Sequence, residues 1–275
     1  MAYEKRLDGR KINETRPMEA KAGVIPNADG SAFFKIGATA AYAAVYGPKE
    51  MVPRFLQDPK EGQIRCHYNM LPFSGSGERI RPGNKRRSQE ISMVLKAALK
   101  PVVDLTDFPN SVVDIHVEFP QTDAGSRCAA VCAASIALAD AGIPMKDMIS
   151  SIAVGQVDGT VVADLNYNEE AYDAIVSDIP VAMTNNSKQI TLLQMDGEIS
   201  KEDLMTSLEM AKEVCEEIYI VQKNALKDKY KLPEGFVAKK PKTNVEKSND
   251  KVTEEKSKPE TESSNEKSKE DKEKQ

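Results

Sequence analysis

No apolar run in this sequence approaches the ~20 residues that a membrane-spanning helix needs, so none is expected. The start of the chain lacks the charged, apolar and small-residue order of a secretory signal. With that pattern missing and only four cysteines present (Cys66, Cys128, Cys132 and Cys215), a disulfide framework is not expected and a reducing cytoplasm is. Cys128 and Cys132 stand four apart, but no second Cys or His pair completes a zinc site, so they read as small buried hydrophobes. Histidine is scarcer still. His67 and His116 each fall in a strand-like stretch, and nothing pairs a nucleophile with either. Ser74-Gly75-Ser76-Gly77 lacks the Lys-Ser/Thr ending of a nucleotide loop and reads as a flexible linker. Bulk positive charge is absent too: 38 Lys and Arg face 43 Asp and Glu, a net of −5. That excludes a protein holding nucleic acid by overall charge; any RNA contact must come from local basic clusters.

The 275 residues divide by composition. From residue 239 onward there is no aromatic side chain, and Val245 and Val252 are the only aliphatic ones. Eleven Lys and ten Asp or Glu nearly cancel there. Such a stretch cannot bury enough apolar surface to offset its ordering entropy. The expected organisation is a folded body over 1–236 and a disordered charged tail over 237–275.

Within the body, alternation and turn signals predict strands over 31–37, 39–46, 64–73, 112–119, 152–157, 160–165, 179–184 and 189–195. Asn27-Ala28-Asp29-Gly30, Asp158-Gly159 and Asn185–Lys188 supply turns. Helical spacing predicts 88–99, ended by Pro101, and a helix over 126–141 that is almost all small or apolar on its buried side. Ser200-Lys201-Glu202-Asp203 has capping-box spacing and opens a long amphipathic helix to about residue 226. The order implies an α/β (α+β) fold of mixed sheets with packed helices, without dinucleotide-type alternation.

Three constellations have chemical content. Thr122-Asp123-Ala124-Gly125-Ser126-Arg127 lies at a strand-to-helix junction. A glycine that admits close approach, a hydroxyl, a guanidinium and free helix-start N–H groups make an anion site; the plainer reading is an ordinary cap beside a surface Arg. Arg79, Arg81, Lys85, Arg86 and Arg87 cluster just before a helix start, where the macrodipole disfavours cations; they suit an RNA backbone or a merely solvated loop. Asp164, Glu169, Glu170, Asp173 and Asp178 straddle a loop between strands and suit either solvation or acid–base and Mg²⁺ chemistry.

Taken together with Arg6-Leu7-Asp8-Gly9-Arg10, Asp29-Gly30-Ser31, Tyr46-Gly47-Pro48-Lys49-Glu50, Pro72-Phe73-Ser74 and Leu138-Ala139-Asp140-Ala141-Gly142, these pieces fall in one order along the chain. The chain resembles archaeal exosome subunits of the RNase PH family over about residues 5–230. That resemblance implies two similar halves and a phosphorolytic 3′→5′ exoribonuclease that releases nucleoside diphosphates and can run in reverse to add 3′ tails. It implies phosphate as co-substrate at Gly125, Ser126 and Arg127, RNA phosphates at Arg86 and Arg87 with Arg81 nearby, and Mg²⁺ or Mn²⁺ at Asp178 and Glu170. The implied partners are RNA, a second RNase PH-like subunit in a hexameric ring of heterodimers, and RNA-binding cap proteins. A non-catalytic threading subunit and a self-sufficient homohexamer acting on tRNA ends are the rival readings. One departure stands out. Where the active pattern has Glu-Asp followed six residues on by a second Asp, this chain has Glu169-Glu170, and Asp178 falls two residues late. Either Glu170 serves through a longer arm, or Asp173 has taken the role, or activity is weakened or lost.

Overall fold

The computed structural model describes Tyr3, residues 5–76, Arg81 and residues 85–231; the expected tail lies outside the described residues. The first sheet contains β1 (Met18–Ala22), β2 (Gly30–Ile36), β3 (Thr39–Glu50), β4 (Gln63–Met70) and β5 (Ser111–Gln121), in the order β1-β2-β3-β5-β4. Only β4 and β5 are parallel among these pairs, and helix α1 (Arg86–Leu99) supplies the crossover that a parallel pair requires. The second sheet is antiparallel: β6 (Ile149–Val157), β7 (Thr160–Ala163), β8 (Val176–Thr184) and β9 (Ile190–Leu193), ordered β7-β6-β8-β9. Helix α2 (Ser126–Asp140) follows the first sheet, the short α3 (Tyr167–Glu170) lies between β7 and β8, and α4 (Lys201–Lys229) follows the second sheet. Each half is thus a sheet followed by the helix that closes it.

Helix α2 is apolar nearly all round because it touches both sheets: β2 and β3 on one side, β6 and β8 on the other. Every α2 residue except Arg127 and Ala139 is buried. Its run of alanines keeps the helix narrow enough to sit there. Gly30 shows how close the packing is, since a Cβ there would lie 2.2 Å from the Ala141 backbone nitrogen. Helix α4 buries Ser207, Ala211, Val214, Cys215, Ile218, Gln222 and Ala225, one stripe of helical period, against β6 and β1. Among the described residues no helix is long and apolar enough to cross a membrane, and all four cysteines are buried free thiols.

The departures from expectation are local. β1 is not among the expected strands: five residues of alternating half-burial at a sheet edge give a weak signal. β3 runs past Gly47-Pro48 to Glu50, its ladder to β5 breaking after Tyr46 and resuming at Lys49. α1 begins at Arg86, two residues earlier than periodicity indicates, so Arg86 and Arg87 occupy its first turn instead of the loop before it. The opening of α4 is only half a capping box. The Ser200 hydroxyl accepts from the Asp203 N–H at 3.0 Å, but the Asp203 carboxylate takes the Ser200 hydroxyl proton and not its backbone N–H.

Candidate active site

The site is built where β5 hands over to α2. Ala124 and Gly125 are both left-handed, with φ of 56° and 62°, which reverses the chain and starts the helix at once. Gly125 is the N-cap and offers no side chain, so no side chain caps the first α2 amides. Ser126 is next. Its hydroxyl accepts from the Tyr68 hydroxyl at 2.8 Å, which directs its own proton elsewhere. Arg127 follows, and its buried Nε has no hydrogen-bond partner. An uncapped helix start, an aimed hydroxyl and an unpaired guanidinium donor make an anion cradle.

The acidic loop resolves into separate groups. Glu169 is fully buried, with Arg6 donating from Nε at 2.8 Å and Nη2 at 2.6 Å and the Tyr3 hydroxyl donating at 2.9 Å. Burial works against its charge, yet the Arg6 bonds and the Asn166 N–H hold it below the usual carboxylate range. Asp164 is buried at a left-handed φ of 53° and accepts from Arg16 Nε, Arg16 Nη2 and the Arg16 N–H at 2.7–2.9 Å. These two carboxylates are structural: they bind Tyr3, Arg6, Arg10 and Arg16 across the α3 loop.

Glu170 points the other way, into a cleft of about 730 Å³ that it shares with Arg86, Arg87, Arg127 and Asp178. Its residue surface is exposed, but the carboxyl lies within the concave cleft. That partial burial, with the Asp178 charge, lifts it to about 7, against the pull of Arg16, Arg87 and the Gly125 amide. Asp178 is lifted by burial to about 6, Arg127 opposing and Asp196 adding. Its buried Oδ1 has no hydrogen-bond partner.

The cleft therefore gathers Gly125, Ser126, Arg127, Arg86, Arg87, Glu170 and Asp178. It does not gather Asp173, which is exposed on the loop after α3 and lines no part of the cleft. Arg81 is exposed and does not line the cleft either, and Arg79 lies outside the described residues. Sequence reasoning missed Tyr68, Asp196 and Arg16. Tyr68 was visible only as an inward strand position. Asp196 reaches the cleft because its backbone pairs with that of Asp178, in both directions at 2.8 and 2.9 Å, a contact no local pattern announces.

A mixed fold of two sheet-plus-helix halves, with an anion cradle and paired carboxylates in one cleft, defines the 3′ exoribonuclease class, and the family comparison agrees. Residues 14–144 match the model of the 3′ exoribonuclease family (RNase PH), domain 1, and residues 147–214 match domain 2. The chain belongs to the RNase PH family. Among its relatives, the exosome complex component Rrp41 of Methanopyrus kandleri is 48% identical over 225 residues, covering 82% of this chain and 93% of that protein. The same component of Pyrococcus furiosus is 46% identical over 226 residues, covering 82% and 89%. Among solved structures, rice Rrp46 superposes with a TM-score of 0.72 at 27% identity, covering 81% of this chain and all of that one.

Proposed function

We propose that this chain is the catalytic subunit of an archaeal exosome, a phosphate-dependent 3′→5′ exoribonuclease. The observation that carries this reading is the single cleft in which an uncapped helix start and unpaired arginine donor adjoin two carboxylates of raised pKa. Inorganic phosphate sits at the Gly125–Ser126 turn, where Gly125 admits its close approach and the Ser126 amide, the Ser126 hydroxyl and Arg127 donate to it. Arg86 and Arg87, at the start of α1, hold the last phosphates of the RNA. A phosphate oxygen attacks the terminal phosphodiester in line, and the new P–O bond replaces the bond to the 3′ oxygen of the preceding nucleotide. The nucleoside diphosphate leaves, and the shortened RNA takes up a proton on its 3′ oxygen. The acceptor is phosphate and not water, so the reaction is phosphorolysis, not hydrolysis, and is reversible. Rate comes from positioning and from cations around the charge that spreads over the phosphoryl oxygens.

A divalent metal fits this cleft. Among the described residues no group of three His, Cys, Asp or Glu is arranged to cage an ion. Mg²⁺, however, is commonly held by one or two carboxylates, with substrate phosphates and water completing its shell. Asp178, whose Oδ1 is buried and unpartnered, and Glu170 are the residues that would hold it. When bound, it would neutralise charge on the reacting phosphates. The Glu170 carboxyl, one methylene longer than the family's Asp, takes the first catalytic position.

The working form is a hexameric ring of heterodimers with a second RNase PH-like subunit, topped by RNA-binding cap proteins, in the cytoplasm. The exosome names of its relatives and the acidic net charge of the chain, which leaves RNA retention to shared sites, support this. The decisive measurement is product identity. The ring with wild-type chain should release nucleoside diphosphates only when phosphate is supplied; phosphate-independent release of monophosphates would overturn the assignment.

A further inference from the structure

A second depression, about 450 Å³, adjoins the cleft and shares Gly75, Ser76 and Thr122 with it as a common wall. Its size lies within the roughly 300–1,000 Å³ typical of small-ligand sites. Its chemistry differs from that of the cleft. Among the described residues that line it there is no cation, and the carboxylate among them, Asp123, is already engaged by Arg16 and by the Tyr167 N–H. At its edge the Phe73 ring stands 73% exposed, a costly position for a benzyl group without a partner. Beneath it Ser74 is 3% exposed, with a hydroxyl that finds no hydrogen-bond partner among the described residues. A buried donor left unpaired is met by an ordered water or by a ligand atom that displaces it.

Resting on the exoribonuclease reading, we infer that this groove is a nucleobase subsite, in which Phe73 stacks a base near the RNA 3′ end and the Ser74 hydroxyl meets its polar edge. Three observations point to a base and not to a phosphate or a sugar. Its described lining carries no positive charge, it presents an exposed π-face, and it opens directly onto the cleft where the arginines take phosphates. A nucleotide is charged at one end and flat and neutral at the other, and the two adjoining depressions divide in the same way. Stacking tolerates every base, as processive degradation requires, because every base has a π-face. Phe73 is a positioning residue, touching the substrate away from the reacting atoms.

The test pairs a protein change with a substrate change, using the assembled ring and its partner subunit. Oligoribonucleotides carry either a normal nucleotide or an abasic one at successive positions from the 3′ end, and single-turnover rates and equilibrium affinities are measured. One abasic position should weaken wild-type binding by about ten- to a hundredfold, the range that base–aromatic stacking spans. Phe73→Ala should weaken intact RNA by a similar factor and add nothing further at that abasic position. Phe73→Tyr should restore the wild-type pattern. Effects that multiply independently would overturn the inference, as would an unaltered affinity in Phe73→Ala. Loss of the ring in Phe73→Ala, seen as a fall in assembly mass, would also overturn it, because Phe73 would then be a protein contact. The binding arm needs no phosphate, so it reads the groove even if the wild-type ring released no diphosphate, the outcome that would sink the functional reading instead.

Discussion

Glu169 and Glu170 are adjacent and chemically alike, yet the fold assigns them opposite work, and substitution should separate them. Glu169→Gln leaves the buried Arg6 guanidinium without its counter-charge and should destabilise by about 3 kcal/mol, as breaking a buried pair does, read by urea unfolding. Glu170→Gln removes a charge that burial and Asp178 already oppose. It should abolish phosphorolysis, by 100-fold or more on the scale of about a 1 Å misplacement, while leaving RNA binding in place. Asp173→Asn should change the rate less than twofold, being outside the cleft; a large loss there would revive Asp173 as the working carboxylate. The raised values also fix a pH dependence. A carboxyl whose folded pKa lies above its unfolded value favours folding when protonated, so that contribution is full below about pH 4 and lost as pH rises through about 6 for Asp178 and about 7 for Glu170. Without divalent metal, Asp178→Asn should therefore raise the melting temperature at pH 8, by up to about 3 °C, and leave it unchanged at pH 4. Equal shifts at both pH values would place the effect elsewhere.

At the scale of elements, what the sequence made legible tracks how local the cause is. β2, β3, β5 and α2 were readable because each repeats its own period and ends on a turn residue or cap. α2 was readable as a helix with a small, apolar buried side, but its burial nearly all round was not, because that depends on the second sheet packing against it. The turn at Gly125 was readable as a candidate anion site beside the plainer reading of a cap, because glycine, hydroxyl and cation stand consecutively. The division of the acidic loop was not. Only the Arg6, Arg10 and Arg16 side chains, some 150 residues distant in sequence, decide that Asp164 and Glu169 are structural and Glu170 is free. β1 escaped because an edge strand of Met, Glu, Ala, Lys and Ala alternates too weakly to register. Packing between elements supplies a further prediction. Gly30→Ala would drive a methyl into the α2 C-terminus, against Ala137 O and Ala141 N, which backbone cannot yield cheaply. The expected cost is about 1–3 kcal/mol, and denaturant unfolding that shows no change would mean the β2–α2 contact is looser than described.

For the whole molecule, an acidic chain gripping a polyanion must rely on few, well-placed cations. Arg86→Ala with Arg87→Ala should lower the salt slope of single-strand RNA binding by about 1.4, roughly 0.7 for each phosphate that is no longer neutralised. An unchanged slope would remove these residues from the RNA path. Deleting residues 240–275 should leave assembly and rate unaltered, because that composition has little to bury; a lower melting temperature after truncation would show that it docks. The strap formed by residues 5–16 has a consequence in time. Arg6 waits for Glu169, 163 residues later in the chain. At synthesis rates of about 5–20 residues per second, that interval is roughly ten to thirty seconds on the ribosome. The carboxylate loop cannot be clamped before then, so a nascent or truncated chain holds the Gly125–Arg127 turn without an assembled cleft. Competence to cut RNA arrives only with the second half of the protein.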